Sequence, residues 1–425
     1  MKMANKWGHL FTKRSSLRQP SAIRALMPYL SRPGTISLGG GMPNSSTFPI
    51  AGIKIELKDG SQVSVANVDQ ALQYSGSNGI SQFVEYLDEL QRTVHKHPHA
   101  EEQSILVSTG SQDALTKTFD LFLDQGDSLL LEEFTYSGSL AYLAPMDLNL
   151  VSVKTDSGGI LPSSLDSIMK NWSTAGLGKK KPRILYTIPT GSNPTGISID
   201  LQRRKDLYAV AKKHDLLILE DDPYYYLQFG EKRQPSLYSM DTDDRVIRFD
   251  SFSKVLSSGL RLGFVTGPKQ VVDQLNLHMQ STSLHTSGVS QSVALALCES
   301  WKEKNNGEWV QGFEKHLVTV VDFYRKQRSL MSDCLDRHLA GLCEWKLPDA
   351  GMFVWVKMPD GFSTAAFAKM LVEVEGVLVV AGQNFSPSGE DIPYIRLSFS
   401  TASKESMDEA LSRFANMFNE VYINQ

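Results

Sequence analysis

Seven short apolar runs alternate with segments of helical periodicity between residues 104 and 267. The runs occupy residues 104–109, 128–131, 150–153, 183–188, 216–219, 246–249 and 262–266. Strands that are apolar almost throughout are typical of a sheet covered on both faces, and helices between them are typical of parallel crossover connections. The alternation therefore predicts an α/β fold with a mostly parallel seven-stranded sheet wrapped by helices.

One intervening segment, residues 200–214, displays the helical pattern clearly. Leu201, Leu207 and Ala211 lie near one face of the predicted helix. The basic residues of this segment, Arg204 among them, fall elsewhere on its surface. The segment therefore predicts an amphipathic helix between two strands of the sheet.

The pattern changes after residue 300. Leu317, Val320, Val321 and Tyr324 keep the rhythm of a long helix, and strand-like runs follow at residues 352–356, 377–380 and 394–399, before a helix at 404–418. The first residues, rich in Gly, Ser and Pro, predict an extended arm. We expect an arm at residues 1–45, a large domain at 46–305 and a smaller C-terminal α/β domain at 306–425.

Composition narrows the possible functions. The chain has 425 residues, of which 41% are hydrophobic, and a net charge of −4, which argues against broad nucleic-acid binding. No apolar run reaches the roughly 20 residues of a membrane-spanning helix. The three cysteines are widely spaced and form neither a disulfide framework nor a CxxC motif. We expect a protein with small-molecule partners, no metal site and a reducing compartment.

The start of the chain is basic. The first acidic residue is Glu56, whereas lysine or arginine occupies positions 2, 6, 13, 14, 18 and 24. This bias is typical of a mitochondrial transit peptide and equally of an ordered basic arm. The expected compartment is therefore the cytoplasm or the mitochondrial matrix.

A lysine suited to covalent chemistry and two residues suited to binding a phosphate follow the run at 246–249. Ligands of open α/β sheets bind beyond the carboxyl ends of the strands. Lys254 has an amine that condenses with an aldehyde to form an imine, and Ser251 and Arg261 are the residue types that hold a phosphate. Taken alone, the motif also fits a surface lysine.

A carboxylate and a phenol follow the run at 216–219. Asp221 is suited to pairing with a pyridine nitrogen, because an adjacent negative charge keeps that nitrogen protonated. Tyr224 is suited to a hydrogen bond with a ring oxygen. A simple turn or helix cap fits the same residues.

Further polar and aromatic side chains follow other predicted strands. Asn193 lies in a turn with two glycines and two prolines, and Ser111 and Gln112 open a helix directly after a strand, where backbone N–H groups suit a phosphate. Tyr136 is suited to stacking on a heteroaromatic ring, and Arg396 to capturing a carboxylate. An ordinary turn, a capped helix, a core tyrosine and a surface arginine are the alternatives. Most of the candidates follow strands of one predicted sheet, whereas Arg396 lies within the late strand-like run at 394–399, and this joint placement favours a ligand site.

These motifs, in this order and spacing, resemble the fold-type I pyridoxal-phosphate-dependent aminotransferases, and most closely the kynurenine and 2-aminoadipate aminotransferase branch. The resemblance extends over nearly the whole chain. Its segments are PSAIRAL, ISLGGGMPN, ALQYSGSNG, STGSQDAL, EEFTYSG, PTGSNPTG, EDDPYYYLQF, DSFSKVLSSGLRLGF, AGMFVW and YIRLSFSTAS.

The resemblance implies a role for each candidate residue. Lys254 would form the Schiff base with pyridoxal phosphate, Asp221 would pair with the ring nitrogen, and Arg396 would hold the substrate carboxylate. The other implied contacts are Asn193 and Tyr224 to the ring hydroxyl, Tyr136 stacked on the ring, Ser111, Gln112, Ser251 and Arg261 to the phosphate, Tyr74 from the partner subunit of a homodimer, and Arg24 and Gly41 in a lid over the substrate. A lid at Arg24 would exclude a transit cleavage beyond that residue.

The implied reaction is transamination. An amino group would pass from kynurenine, 2-aminoadipate or an aromatic amino acid to a 2-oxo acid such as 2-oxoglutarate, with ping-pong kinetics. A β-lyase acting on cysteine conjugates would use the same Lys254. A ligand-sensing regulator would need a DNA-binding domain, for which we expect no room before Ile36. A metal site at His95, His97 and His99 is a further alternative, although we expect these residues to form a solvated loop.

Overall fold

The computed structural model describes residues 6–26, 29, 32–36, 38–39, 41–174 and 179–423, without the side chain of residue 423. Lys2, one of the basic residues at the start, lies outside this part of the chain. None of the described helices combines the length and the apolar character that crossing a membrane requires.

The described strands are β1 (Lys54–Glu56), β2 (Gln62–Ser64), β3 (Gln103–Ser108), β4 (Ser128–Glu132), β5 (Asn149–Val153), β6 (Thr155–Asp156), β7 (Gly159–Ile160), β8 (Ile184–Thr187), β9 (Leu217–Asp221), β10 (Val246–Ser251), β11 (Gly263–Pro268), β12 (Glu344–Trp345), β13 (Phe353–Lys357), β14 (Val380–Ala381) and β15 (Tyr394–Ser398). The described α-helices are α1 (Lys13–Ser16), α2 (Val68–Leu72), α3 (Ser81–Val94), α4 (Ser111–Phe122), α5 (Ser137–Leu143), α6 (Pro162–Lys170), α7 (Leu201–Lys213), α8 (Lys269–Thr282), α9 (Gly288–Lys304), α10 (Trp309–His338), α11 (Thr364–Glu375) and α12 (Lys404–Phe418).

The central sheet has seven strands in the order β3-β11-β10-β9-β8-β4-β5. All seven correspond to the apolar runs of the sequence, so the predicted seven-stranded sheet is confirmed. The pairs β9/β8, β8/β4 and β4/β5 are parallel. Strand β11 runs antiparallel to both β10 and β3, which the apolar pattern does not reveal. A loop, without a crossover helix, joins β10 to β11, and such a connection permits antiparallel pairing.

The strands of the sheet are apolar because they are covered. Every residue of β4, β8, β9, β10 and β11 is buried. The helix predicted within residues 200–214 is α7, whose capping residue Asp200 accepts a hydrogen bond from the backbone N–H of Arg203. Arg204, expected away from the buried face, is in fact fully buried.

The chain divides into two compact units, each built from two segments. The first unit comprises Met1–Asp124 and Leu237–His316, and the second comprises Gln125–Ser236 and Leu317–Gln425. These units follow from the distribution of contacts. The expected division into an arm, a large domain and a small domain stays a prediction.

In the first unit, the beginning of the described chain packs against α4. Trp7 and Leu10 are buried. The backbone N–H of Thr12 donates to the carbonyl of Leu121 at 2.8 Å, and its hydroxyl donates to the carbonyl of Asp120 at 3.1 Å. Residues 7–16 are therefore part of the packed unit.

In the second unit, a small antiparallel sheet has the order β12-β13-β15-β14. Strands β13 and β15 and helix α12 fall where the sequence places them. The strand predicted at 377–380 overlaps β14 only at Val380, and β12 was not anticipated. Trp355 of β13 pairs with Arg396 of β15, so the two side chains lie on the same face of this sheet.

The histidine-rich segment is different from the expected solvated loop. His95 and His97 are buried, at 2% and 5% exposure, so that expectation is wrong for both residues. The ring of His97 packs on Tyr238 with centroids 4.4 Å apart. Only His99 is exposed, and its ligand atom lies within 4.8 Å of those of Glu102 and Asp244.

Candidate active site

Lys254 lies just beyond strand β10 in the first unit. The strand ends at Ser251, whose hydroxyl accepts a hydrogen bond from the backbone N–H of Ser253 at 3.2 Å. The backbone N–H groups of Val255 and Leu256 both bond to the carbonyl of Phe252. This tight turn leaves Lys254 half-buried at the end of the strand.

Arg261 lies against the beginning of helix α4. A Cβ atom added to Gly110, the residue that caps this helix, would come within 2.5 Å of Arg261 Nη2. Gly110 also has φ of +78°, which disfavours a side chain. The guanidinium donates to the carbonyl of Ser258 at 3.2 Å. The absence of a side chain thus lets a cation approach a helix N-terminus closely.

Ser111 and Gln112 form the first turn of α4, as the sequence predicts. The first backbone N–H groups of a helix have no intrahelical acceptor and carry the positive end of its dipole. Together with Arg261 and Ser251, this turn makes an environment suited to a phosphate dianion.

Tyr74, Arg24 and Gly41 belong to the same unit. Arg24 Nη1 donates to the carbonyl of Ser75 at 2.7 Å, and its guanidinium lies 5.9 Å from the ring centroid of Tyr74. Tyr74 is 47% exposed and Gly41 is also exposed. Arg24 therefore contacts the segment that carries Tyr74.

Asp221 is the last residue of β9 in the second unit and is buried, with 4% exposure. The hydroxyl of Tyr186, on the neighbouring strand β8, donates to Asp221 Oδ2 at 2.8 Å. Ser139 Oγ of helix α5 in turn donates to the hydroxyl of Tyr186 at 3.0 Å. This chain of hydrogen bonds orients the carboxylate.

Arg396 lies between a hydrogen-bond acceptor and two aromatic rings. Its Nη1 donates to Asn193 Oδ1 at 2.8 Å. Its guanidinium carbon is 4.2 Å from the ring centroid of Phe353 and 5.0 Å from that of Phe385. Burial lowers the pKa of the Arg396 guanidinium. The arrangement presents a desolvated cation, which suits a carboxylate.

Tyr224 and Tyr136 belong to the same unit. Tyr224 is buried with 4% exposure, and burial together with the nearby Asp221 raises its pKa. Tyr136 caps helix α5 and contributes electrostatically to the pKa values of both Tyr224 and Arg396. The predicted residues Tyr136, Asn193, Asp221, Tyr224 and Arg396 are thus brought together in the second unit.

Residues 189–196, which we call the Asn193 loop, are held closely. A Cβ atom on Gly196, which has φ of +68°, would come within 2.6 Å of the carbonyl oxygen of Phe353. Arg204 donates from Nη2 to the carbonyl of Pro189 at 2.8 Å and to Thr190 Oγ1 at 3.0 Å. The Asn193-Pro194 peptide bond is cis.

Sequence reasoning missed four buried residues of the second unit: Glu132, Ser139, Tyr186 and Arg204. Glu132 Oε1 accepts hydrogen bonds from Thr187 Oγ1 at 2.6 Å and from the backbone N–H of Ile188 at 2.9 Å. Tyr186 lies within the apolar run at 183–188, and Glu132 directly follows the run at 128–131, so neither residue was recognised as a site residue. A polar group inside such a run was the available signal, because a buried polar group needs a partner.

Comparison with known proteins identifies the family. The sequence model for aminotransferase class I and II matches residues 45–414, which is most of the chain. The chain belongs to the class I and II aminotransferases.

Relatives of this aminotransferase match it over nearly its whole length. The mitochondrial kynurenine/alpha-aminoadipate aminotransferase of Bos taurus is 39% identical, covering 97% of this chain and 99% of the relative. An aromatic aminotransferase of C. albicans has a TM-score of 0.87 at 28% identity, covering 98% of both chains. The kynurenine aminotransferase of Pyrococcus horikoshii, solved with PMP, has a TM-score of 0.77 at 27% identity, covering 97% of this chain and 98% of that one.

The family determines the reaction class. The protein is a fold-type I aminotransferase that depends on pyridoxal phosphate and acts on amino acids and 2-oxo acids. Its side chains fit this cofactor: the glycine-lined approach of Arg261 to a helix N-terminus suits the phosphate, and the buried Asp221 suits a protonated ring nitrogen. The family, fold class, cofactor and reaction predicted from sequence are confirmed.

We predict that the contribution of Glu132 to stability falls as the pH rises. Burial raises the pKa of this carboxyl from its ordinary value of 4.5 to about 7. Below the lower value the group is protonated in both the folded and the unfolded state. Between the two values only the folded state retains the proton, so each unit of pH costs about 1.4 kcal/mol at most.

Urea unfolding of the Glu132→Gln variant and the unmodified protein at several pH values tests this prediction. The free energy of unfolding of the variant minus that of the unmodified protein should increase with pH up to about pH 7. Above that pH the difference should stay constant. A difference that does not change with pH would contradict the raised pKa.

Proposed function

We propose that this aminotransferase transfers the amino group of kynurenine, 2-aminoadipate or an aromatic amino acid to 2-oxoglutarate. The observation that supports a carboxylate-bearing substrate is Arg396, a partly buried cation bonded to Asn193 at 2.8 Å and flanked by the rings of Phe353 and Phe385. The substrate class comes from the relatives, whose names include kynurenine, alpha-aminoadipate and aromatic amino acids.

The side chains divide the work of holding cofactor and substrate. Arg261, Ser251 and the first turn of α4, with Ser111 and Gln112, bind the phosphate. Asp221, oriented by Tyr186, pairs with the ring nitrogen. Contacts to the ring are completed by Asn193 and Tyr224 at its hydroxyl and by Tyr136 stacked on its face.

Pyridoxal phosphate supplies an aldehyde that captures amines and a ring that stabilises negative charge at the substrate α-carbon. Lys254 Nζ would hold the cofactor covalently at rest. When a substrate amine takes its place, the freed Lys254 amine would remove the proton from the substrate α-carbon as a general base and deliver it to the aldehyde carbon of the cofactor as a general acid. Arg396 would hold the substrate α-carboxylate.

A homodimer is part of the proposal. The first unit exposes Leu17, Ile23, Leu26, Ile36, Leu38, Tyr74 and Leu284, with exposures from 40% to 99%. Tyr74 links part of this surface, because Arg24 lies near its ring and His285 meets that ring edge-on at 5.8 Å. Exposed apolar surface on a folded protein favours association. We propose that Tyr74 enters the partner subunit's site and that Arg24 and Gly41 belong to a lid over the substrate.

Domain organisation and compartment complete the proposal. We retain an arm at residues 1–45, a large cofactor-binding domain at 46–305 and a small domain at 306–425. The compartment is the cytoplasm or the mitochondrial matrix, and the name of the Bos taurus relative favours the latter.

The covalent role of Lys254 is tested by Lys254→Ala. We expect turnover to fall on the order of 10⁴-fold, because the variant loses both the covalent link and the group that moves the proton. Borohydride treatment should fix cofactor to this residue in the unmodified protein and not in the variant.

Lys269→Ala is the matched control, since Lys269 is exposed and paired with Asp273 at 2.8 Å. It should retain activity and labelling. A Lys254→Ala enzyme with normal turnover would refute the assignment.

The hydrogen-bond chain to Asp221 is tested by Tyr186→Phe. Removing this donor leaves the buried carboxylate less well held, and we expect kcat to fall by about tenfold. Ser139→Ala should have a smaller effect, because it removes a donor to Tyr186 and leaves the bond from Tyr186 to Asp221.

Tyr208→Phe, on helix α7, controls for loss of a tyrosine hydroxyl elsewhere. Single-turnover absorbance of the cofactor measures the amino-acid half-reaction for all three variants. Equal rates for Tyr186→Phe and Tyr208→Phe would contradict this role of Tyr186.

The substrate class is tested by a panel of amino donors with 2-oxoglutarate as acceptor. We expect kcat/KM for kynurenine, 2-aminoadipate and aromatic amino acids to exceed that for aspartate by about tenfold or more. A preference for aspartate would contradict the proposed class. Cysteine conjugates are assayed in parallel for pyruvate and ammonia, whose accumulation in place of a new amino acid would favour β-lyase chemistry.

A further inference from the structure

Glu132 is a buried carboxylate to which the proposed mechanism assigns no role. It is the last residue of β4 and is 6% exposed. Its donors Thr187 Oγ1, at 2.6 Å, and the backbone N–H of Ile188, at 2.9 Å, are neutral, as is the Ser192 side chain that also lowers its pKa. Taking a carboxylate out of water is costly, and its raised pKa reflects that cost. Neutral donors compensate for it only in part.

The Glu132 carboxylate accepts hydrogen bonds from the two residues at the end of β8. Thr187 is the final residue of β8 and Ile188 is the residue before the Asn193 loop. The bond from Ile188 fixes the backbone as it leaves the sheet, and the bond from Thr187 fixes the preceding side chain. Both set the direction in which the Asn193 loop departs.

The direction in which the loop leaves β8 determines the position of the Asn193 side-chain amide. The backbone N–H of Gly196 bonds to the carbonyl of Ser192 within the loop, and the backbone N–H of Ser192 bonds to the carbonyl of Ile197, the residue just after it. Arg204 holds the carbonyl of Pro189 from helix α7. With little freedom left in the loop, its exit from β8 determines where Asn193 Oδ1 meets Arg396 Nη1, at 2.8 Å.

The backbone of Glu132 is also connected to Arg396 through hydrogen bonds of Thr135 and the ring of Phe385. Its carbonyl accepts a hydrogen bond from Thr135 Oγ1 at 2.7 Å, and the backbone N–H of Thr135 donates to the carbonyl of Phe385 at 2.9 Å. The ring of Phe385 lies 5.0 Å from the guanidinium of Arg396. The same residue is therefore connected to the acceptor and to an aromatic neighbour of Arg396.

We propose that Glu132 is a positioning residue that sets the carboxylate-binding geometry of Arg396, chiefly through the Asn193 loop. The proposal rests on the proposed function, since it takes Arg396 as the residue that binds the substrate α-carboxylate. Glu132 touches neither substrate nor cofactor in this role, so its removal weakens substrate binding and leaves the cofactor in place.

The neighbouring residue offers a matched control. Glu133 Oε2 accepts hydrogen bonds from the hydroxyl of Thr155 at 3.1 Å and from its backbone N–H at 3.0 Å. Glu133→Leu therefore removes the acceptor of the same two types of donor, at a half-buried position. Thr155 belongs to β6, however, and not to the segment that leads into the Asn193 loop.

The experiment measures KM for the amino donor in the holoenzyme, together with cofactor content from absorbance. We expect Glu132→Leu to raise KM by about tenfold, because two buried donors lose their acceptor. Glu132→Gln keeps an acceptor oxygen and should remain within about twofold of the unmodified enzyme, as should Glu133→Leu. Cofactor content should be unchanged in all three.

A double variant separates positioning from general damage. In an Asn193→Ala background, Glu132→Leu should raise KM no further, because residues that act through one another are not additive. If Glu132→Leu does not fold, Thr187→Val and Thr187→Ser decide the matter, with an increased KM expected for valine alone. Full additivity with Asn193→Ala, or KM values for Glu132→Leu or Thr187→Val equal to that of the unmodified enzyme, would overturn the proposal.

Arg396→Gln distinguishes this inference from the function on which it rests. An increased KM for Arg396→Gln with an unchanged KM for Glu132→Leu removes only the positioning role. An unchanged KM for Arg396→Gln removes the carboxylate assignment and, with it, the role of Glu132.

Discussion

The second unit depends on the way in which polar side chains at the ends of buried strands are satisfied. Strands β4, β8 and β9 end at Glu132, Thr187 and Asp221, and all three residues are buried. A buried polar group without a hydrogen bond costs about 1–3 kcal/mol, so these groups must pair with one another or with nearby donors. The pairs Thr187–Glu132 and Tyr186–Asp221 meet this requirement across neighbouring parallel strands.

This requirement also produces the geometry of the candidate residues in the second unit. A carboxylate held by Tyr186 and a guanidinium held by Asn193 are oriented before any ligand arrives. Catalysis by charge stabilisation depends on such preorganised groups, because they need not reorganise during the reaction. In the first unit, the approach of Arg261 to the start of α4 follows the same principle, and it is possible only because residue 110 is glycine.

Much of the candidate site was predictable because several candidate residues lie in or directly after strands whose apolar runs are visible in the sequence. Lys254, Asp221, Asn193 and Arg396 lie where those runs place them. The supporting residues were not predictable in this way. Tyr186 and Glu132 interrupt or end apolar runs without a local signal of their partners. Arg204 reads as a surface residue of an amphipathic helix, yet it bonds to a loop carbonyl. His95 and His97 were misassigned because alternating histidines beside a proline look solvated when their neighbours are unknown.

The sequence by itself determined the seven strands, the principal helices and the candidate residues for the chemistry, because these depend on local periodicity and on the type of each side chain. Tertiary structure decided the antiparallel course of β11, the burial of His97 and the partners of Glu132, Tyr186 and Arg204. The physical reason is that burial and hydrogen bonding join residues distant in the chain, such as Arg396 and Asn193, and no local pattern specifies which pairs will meet.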